Sequence, residues 1–386
     1  MNRKKIIRIT TVPESLEKLL EGQLAFMNTH FEVVAISSDK MRLRKFAIKE
    51  GVRHYNIELT RKITPLNDLI AVWKLFWIFK KEKPFIVHSH TPKAGTVAMI
   101  AAKFARVPNR LHTIAGLPLL EVKGKKRVLL NFVEKITYKC ATIIYPNSFG
   151  LKDIILASAF TRSNKLKVIG NGSSNGIDIN FFSPSSISKA VLKKLRKELN
   201  ISNEDFVFVF VGRIVKDKGI NELLKAFNIL SKKNDNIKLL LIGNREDDLN
   251  PITKKSNTII KENTRIYELG YRKDVRPYFL ISNILTFPSY REGFPNVVMQ
   301  AGALGIPCIV SNINGCNEII SDGVNGIIIP PKNIEKLIEA MSFYINNKLK
   351  IEKMGRKSRE LIVDNYCREK VWKALLNEYI QLGHVR

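Results

Sequence analysis

What most constrains this chain is a rhythm. Short runs of aliphatic and β-branched residues alternate with stretches of helical periodicity. The runs at residues 6–12, 31–37, 52–59, 85–90, 110–114, 142–147 and 167–169 read as strands, with helices between them. Helices are expected at 16–28, 46–51, 68–81, 93–106 and 148–159. Such alternation builds parallel sheets covered on both faces, the doubly wound α/β architecture. The Gly/Ser/Asn-rich stretch 171–184 breaks the rhythm. It restarts with FVFVFV at 206–211, a strand buried on both faces. A chain of 386 residues also exceeds one ordinary core. Two Rossmann-like domains are therefore expected, residues 1–178 and 179–365, followed by a C-terminal helical segment, 366–386.

The formal charge is +29, and residues 1–180 hold 31 Lys and Arg against 13 Asp and Glu. Nucleic acid, an anionic membrane surface and polyphosphate ligands all suit such a field. A solvated basic surface accounts for it equally. No helix-turn-helix, RNA-recognition or zinc-finger spacing is present, so no nucleic-acid partner is expected. The cysteines, Cys140, Cys308, Cys316 and Cys367, are scattered without a C-x-x-C pair, so reduced thiols in the cytosol fit. The basic start leads into an apolar run broken by Arg8, which reads as a strand rather than a leader. No run of 18 apolar residues occurs, and the nearest candidate, 69–79, is broken by Lys74. A soluble or peripheral protein is expected. The stripe Leu69, Val72, Trp73, Phe76, Trp77 and Phe79 is expected to be core packing.

Two stretches of the second half carry chemistry. Gly212 and Arg213 follow the FVFVFV strand, and Lys218 and Gly219 lead into the next helix. Arg213 can grip a diphosphate bidentately, with Lys218 as a point charge and the helix N-terminus adding donors. An ordinary charged surface loop has the same composition. The second stretch is Glu292, Gly293, Phe294, Pro295 and Asn296, a turn between a strand and a helix that also carries Gln300. Ligands of α/β sheets gather at that end of a strand. Glu292 can accept bonds from sugar hydroxyls and Gln300 can face a ribose. Acidity that complements a helix start is the plainer reading of Glu292.

GR-x4-KG followed by EGFPNVVMQ resembles the retaining glycosyltransferases of family 4, which have the GT-B fold. The likeness lies in Arg213, Lys218 and Glu292. The family's Glu-x7-Glu motif is altered at its end, where Gln300 replaces the second Glu. The segments HSHTPKAG at 88–95, HTIAGLP at 112–118 and NGID at 175–178 resemble the branch that builds capsule, exopolysaccharide and lipid-linked oligosaccharide.

The resemblance implies two domains facing a cleft, the first binding acceptor and the second a nucleotide-diphosphate sugar, with UDP the expected carrier. It implies a C-terminal helix that crosses back to the first domain. It places Arg213 and Lys218 on the diphosphate, Glu292 and the 293–296 turn on the sugar, Gln300 on the ribose, and Gly270, Tyr271 and Arg272 beside the base. It gives His112 a supporting catalytic contact with the donor sugar. A core histidine satisfied by backbone is the alternative. The loop 11–15 with Gly22 and Gln23 is expected to receive acceptor, or else Ser15 simply caps a helix.

No cofactor or metal is expected, since His88 and His90 lack a third ligand. The implied acceptor is a lipid-linked saccharide at the inner face of the membrane. Lys123, Lys125, Lys126 and Arg127 beside Leu129, Leu130, Phe132 and Val133 suit an interfacial helix, or a helix packed on its own domain. A UDP-sugar 2-epimerase on the same scaffold is the rival enzyme.

Overall fold

The structure, a computed structural model, describes residues 3–60, 64–117, 119, 122–248 and 250–383. Pro118 and the tail beyond 383 therefore lie outside the described residues. The chain divides into two compact units. The first is Met1–Asn175 with Glu369–Arg386, and the second is Gly176–Arg368. Gly176, Ile177 and Asp178, expected in the first domain, and residues 366–368, expected in the C-terminal segment, fall in the second. Ile177 donates its N–H to Tyr366 (2.8 Å) and accepts from the N–H of Arg368 (3.0 Å).

The first unit holds β1 (Lys5–Ile9), β2 (Glu32–Ser37), β3 (Arg53–Asn56), β4 (Ile86–His90), β5 (Asn109–Ile114) and β6 (Ile143–Pro146). All pair in parallel in the order 3-2-1-4-5-6. Successive strand residues face opposite sides. Ile7, Ile9, Val34 and Val87 meet α4 (Pro65–Glu82), α5 (Pro92–Phe104) and α6 (Gly124–Cys140). Ile6, Val33 and Ile86 meet α1 (Pro13–Leu19), α2 (Gln23–Asn28), α3 (Lys40–Glu50) and the C-terminal helix, Arg368–Gln381. α7 (Phe149–Ala157) follows β6 and adds Leu151 and Ile155 to the first of these two cores.

Four expectations change. The single helix at 16–28 is two helices. Gly22 sits between them at φ 76°, and a Cβ there would lie 2.8 Å from the Trp372 ring. The break is thus shaped around a residue from the far end of the chain. Residues 167–169 form no strand; only Leu166 bridges to Ile144. The short helix at 46–51 extends back to Lys40, capped by Asp39, whose side chain accepts from the N–H of Arg42. The apolar stripe of α4 is only partly core: Phe79 is buried and Val72 packs against the core, but Leu69, Trp73 and Trp77 do not. Ala71, Leu75 and Phe79 face the sheet, while Leu69, Trp73 and Trp77 are 67%, 62% and 56% exposed. This helix is apolar on two faces, and periodicity alone cannot say which one the sheet takes.

The second unit repeats the plan. Its strands are β7 (Phe206–Val211), β8 (Ile237–Ile242), β9 (Ile266–Gly270), β10 (Ile284–Phe287), β11 (Cys308–Ser311) and β12 (Gly326–Ile329), ordered 12-11-10-7-8-9. Read from its own first strand, that is again 3-2-1-4-5-6. Its helices are α8 (Lys189–Glu198), α9 (Ile220–Ser231), α10 (Lys254–Glu262), α11 (Arg276–Leu280), α12 (Asn296–Ala303), α13 (Cys316–Ile319), α14 (Ile334–Asn346) and α15 (Lys348–Tyr366). Sequence periodicity shows no helix at 254–262, because α10 is short and mostly polar. Its start is fixed by Thr253, whose side chain accepts from the N–H of Ser256.

Candidate active site

The chain leaves β7 to one side for β8 and returns on the other side for β10, so the switch point of the second sheet lies between β7 and β10. Loops at the C-terminal ends of these strands have no neighbouring crossover to fill the space, which is why ligands settle there. Arg213 and Lys218 sit on the loop after β7 and turn to opposite sides. Arg213 bonds Glu246, beyond β8, at 2.5 Å. Lys218 forms an ion pair with Glu292, beyond β10. Both partners of the second pair are mostly withdrawn from water, whereas Arg213 is half exposed.

The Lys218–Glu292 pair is held on every side. Ser289 donates its hydroxyl to Glu292 at 2.7 Å, and the Lys218 ammonium stands 5.3 Å from the centre of the Phe287 ring. Arg291 crosses to Asp217 at 2.7 Å, and the N–H of Tyr290 reaches the Asp217 carbonyl at 2.9 Å. Asn314, beyond β11, donates to the Glu292 carbonyl. Gly219 makes the close approach possible. It has φ 72°, and a Cβ there would lie 2.0 Å from the Pro288 carbonyl oxygen.

The other expected residues share this rim. Gly270 closes β9, and its carbonyl accepts from the N–H of Gly243 at 2.9 Å. Tyr271 is exposed, and the Arg272 guanidinium lies 5.8 Å from the Tyr278 ring centre. Asn296 opens α12 after Pro295, with no side-chain cap on the helix start; the N–H of Val298 goes to the Pro295 carbonyl (3.2 Å), which leaves those of Asn296 and Val297 for a ligand. Gln300 is half buried one turn later, with no side-chain hydrogen bond among the described residues. Phe294 is buried against Tyr366 (5.3 Å between ring centres), which leaves only its backbone for a ligand. Sequence reasoning missed Asp217, Glu246, Ser289 and Asn314. Asp217 lies inside the GR-x4-KG segment and was legible as a charge; Asn314 sits in a loop with no distinguishing pattern.

Residues 192–361 match the family described as glycosyl transferases group 1, and residues 20–148 match glycosyl transferase 4-like proteins. The capsular polysaccharide biosynthesis glycosyltransferase CapM of Staphylococcus aureus is 35% identical over 98% of this chain and 97% of its own length. The chain is a family 4 glycosyltransferase. An Escherichia coli UDP-Gal:alpha-D-GlcNAc-diphosphoundecaprenol alpha-1,3-galactosyltransferase is 29% identical over 88% of this chain and 86% of that one. The structure of Anabaena HepE in complex with UDP superposes with a TM-score of 0.80 at 18% identity, over 98% and 100% of the two chains, which supports the GT-B fold.

The first unit of this glycosyltransferase carries three buried imidazoles. His112 lies within β5, and its Nδ1 is near both the Ser89 hydroxyl (2.9 Å) and the Ser89 carbonyl (3.3 Å). A hydrogen on Nδ1 would serve the carbonyl, which can only accept, whereas the hydroxyl can donate or accept. Burial lowers this imidazole to about 4, so it is neutral at pH 7. Gly95 of α5 makes room for it, since a Cβ there would lie 2.3 Å from Cε1 and 2.7 Å from Nε2.

His88 and His90 are committed elsewhere. His88 bonds Tyr379 (2.5 Å) and Thr113 (2.7 Å), and His90 bonds Arg8 (2.8 Å). Arg8, missed by sequence reasoning, is fully buried. It donates to Tyr379 (2.8 Å), Gln23 (2.6 Å) and His90, all neutral groups. An arginine interrupting an apolar strand was the available signal. Gln23 also donates to Asn175 at 3.0 Å, and Ser15 makes no side-chain cap.

Proposed function

We propose that this glycosyltransferase moves a sugar from a UDP-sugar to a polyprenyl-diphosphate-linked saccharide during bacterial surface-polysaccharide synthesis, with retention of anomeric configuration. The observation that carries this reading is the Lys218–Glu292 ion pair at the switch point of the second sheet. The names of the capsular and diphosphoundecaprenol relatives support the acceptor class, and the UDP complex of a structural neighbour supports the carrier.

In this reading the ion pair is the resting form of a donor site. An arriving diphosphate draws Lys218 to itself, with Arg213 on the other side of β7 and the N–H groups of α12 completing the grip. Glu292 then has an oxygen to accept bonds from the sugar hydroxyls. Charge that builds on the leaving diphosphate is met by groups already in place, the largest usual source of rate enhancement. Those cations do the work a metal would otherwise do, so none is assigned a role. Attack comes from the face that the diphosphate leaves, and the leaving phosphate takes the acceptor proton. His112 of the first unit, neutral at pH 7, keeps the supporting role that the family resemblance gives it. The enzyme works peripherally at the inner face of the cell membrane; among the described residues no helix is long and apolar enough to cross one.

The test is a donor screen with purified protein and native membranes. Nucleoside diphosphate release and a lipid-linked product are expected with a UDP-sugar. Conversion of UDP-sugar to an epimer without acceptor would overturn the reading in favour of the epimerase.

A further inference from the structure

Among the described residues, the outer surface of the α4–α6 layer carries large apolar side chains that remain exposed. Along α4, Leu66, Leu69, Ile70, Trp73 and Trp77 form one exposed stripe at helical spacing, with the Trp73 and Trp77 rings edge to face at 6.4 Å. Beyond α5, Leu129 and Phe132 of α6 are also exposed. Contiguous exposed apolar surface on this scale marks an interaction site.

The charge around it is predominantly positive. The three helices carry ten Lys and Arg against three Asp and Glu. Two of those carboxyls are held in ion pairs. Asp68 is paired with Lys93 at 2.5 Å, and Glu82 with Lys5 and Arg53. Burial raises the Glu134 carboxyl above its usual range. The stripe ends at a cavity of about 570 Å³ at the N-terminal ends of the strands, where Arg3, Lys4, Lys5, Lys80, Lys83 and Arg106 outnumber Glu32 and Glu82, both of which are paired with Lys5 and Arg53. Lys80 stands one turn beyond Trp77, and Arg106 two residues beyond exposed Phe104.

We propose that this face docks on an anionic phospholipid bilayer, with Trp73 and Trp77 entering the interface and the basic cavity taking a phospholipid phosphate. Indole rings favour the headgroup level, and basic residues beside them add attraction to anionic lipid. A second copy of this chain would bring like charges together, so the charge selects the bilayer. This rests on the lipid-linked acceptor reading and adds the surface that reaches it. That surface extends well beyond the basic start of α6.

The full chain is mixed with phosphatidylcholine vesicles, with and without phosphatidylglycerol, and sedimented. Intrinsic fluorescence is followed in parallel. Binding with a blue shift is expected only with phosphatidylglycerol, weakening as salt rises. Trp73→Ser with Trp77→Ser should weaken it at least tenfold and abolish the shift. Lys80→Glu with Lys83→Glu and Arg106→Glu should weaken it at least tenfold while circular dichroism stays unchanged. Unaltered binding by either variant would overturn the proposal. So would displacement by soluble glycerol phosphate, or a dimer in sedimentation velocity that the Trp variant dissolves. Nucleoside diphosphate release from UDP-sugar without vesicles reports the transferase reading separately, so the two can fail independently.

Discussion

Lys218 and Arg213 look equivalent in the sequence, and their surroundings make them unequal. Lys218 is largely withdrawn from water beside Phe287 and Glu292, where a charge interaction is weakly screened; Arg213 reaches out to Glu246 with half its surface in solvent. Removing one preorganised donor in a withdrawn site costs about 10²–10³ in rate. Lys218→Ala should therefore lower kcat on that scale, and Arg213→Ala by a smaller factor, in a steady-state assay of diphosphate release. Equal losses would contradict the assignment.

The buried imidazoles set an acid limit on stability. His112 is lowered to about 4, and burial first, then neighbouring positive charge, lowers His88 and His90 well below their usual range. Below pH 6.5 the unfolded chain gains protons that the folded chain refuses, so stability falls as pH falls. The slope is about 1.4 kcal/mol per pH unit for each imidazole while only the unfolded form titrates. Urea midpoints should thus drop steeply between pH 6.5 and 5. A flat profile there would mean that these rings are solvated.

At the scale of elements, the break between α1 and α2 gives a controlled comparison. Gly22 and Gly51 both have positive φ, 76° and 67°. A Cβ at Gly22 meets the Trp372 ring at 2.8 Å, whereas at Gly51 it meets nothing within 4 Å. Gly51→Ala should cost the backbone strain alone, about 1–2 kcal/mol. Gly22→Ala should cost about 1–3 kcal/mol more by overpacking, measured by chemical denaturation. Similar costs would mean that the C-terminal helix does not seat on this break. The strand–helix alternation was legible because it depends on local periodicity. The Gly22 break and the exposed face of α4 were not, because each is decided by a residue or a sheet far away in sequence. The candidate site was legible for the same reason as the strands: Arg213, Lys218 and Glu292 sit next to strand ends. Arg8 and Asn314 were not, since their importance lies in partners that only folding brings together.

At the scale of the molecule, the two sheets share one strand order but not one kind of independence. The second unit is a continuous piece, Gly176–Arg368. The first is completed by the C-terminal helix, whose Val371, Leu375, Leu376 and Tyr379 are buried and whose Tyr379 hydroxyl serves both Arg8 and His88. Buried polar groups that lose their partner cost about 1–3 kcal/mol each, more when charged. Residues 176–368 alone should melt cooperatively, and residues 1–175 alone should not, by circular dichroism. A cooperative melt of 1–175 at the temperature of the intact chain would show that the helix is dispensable.

The central claim is that the ion pair between the loops after β7 and β10 is the donor site of a sugar transfer. Its most direct test is the rate of sugar transfer from UDP-sugar to a polyprenyl-diphosphate-linked saccharide by the wild type, Lys218→Ala and Glu292→Ala, each checked for an unchanged fold. Both variants are predicted to lose at least about a hundredfold in kcat, the scale of one preorganised group. Full transfer by both would contradict the account.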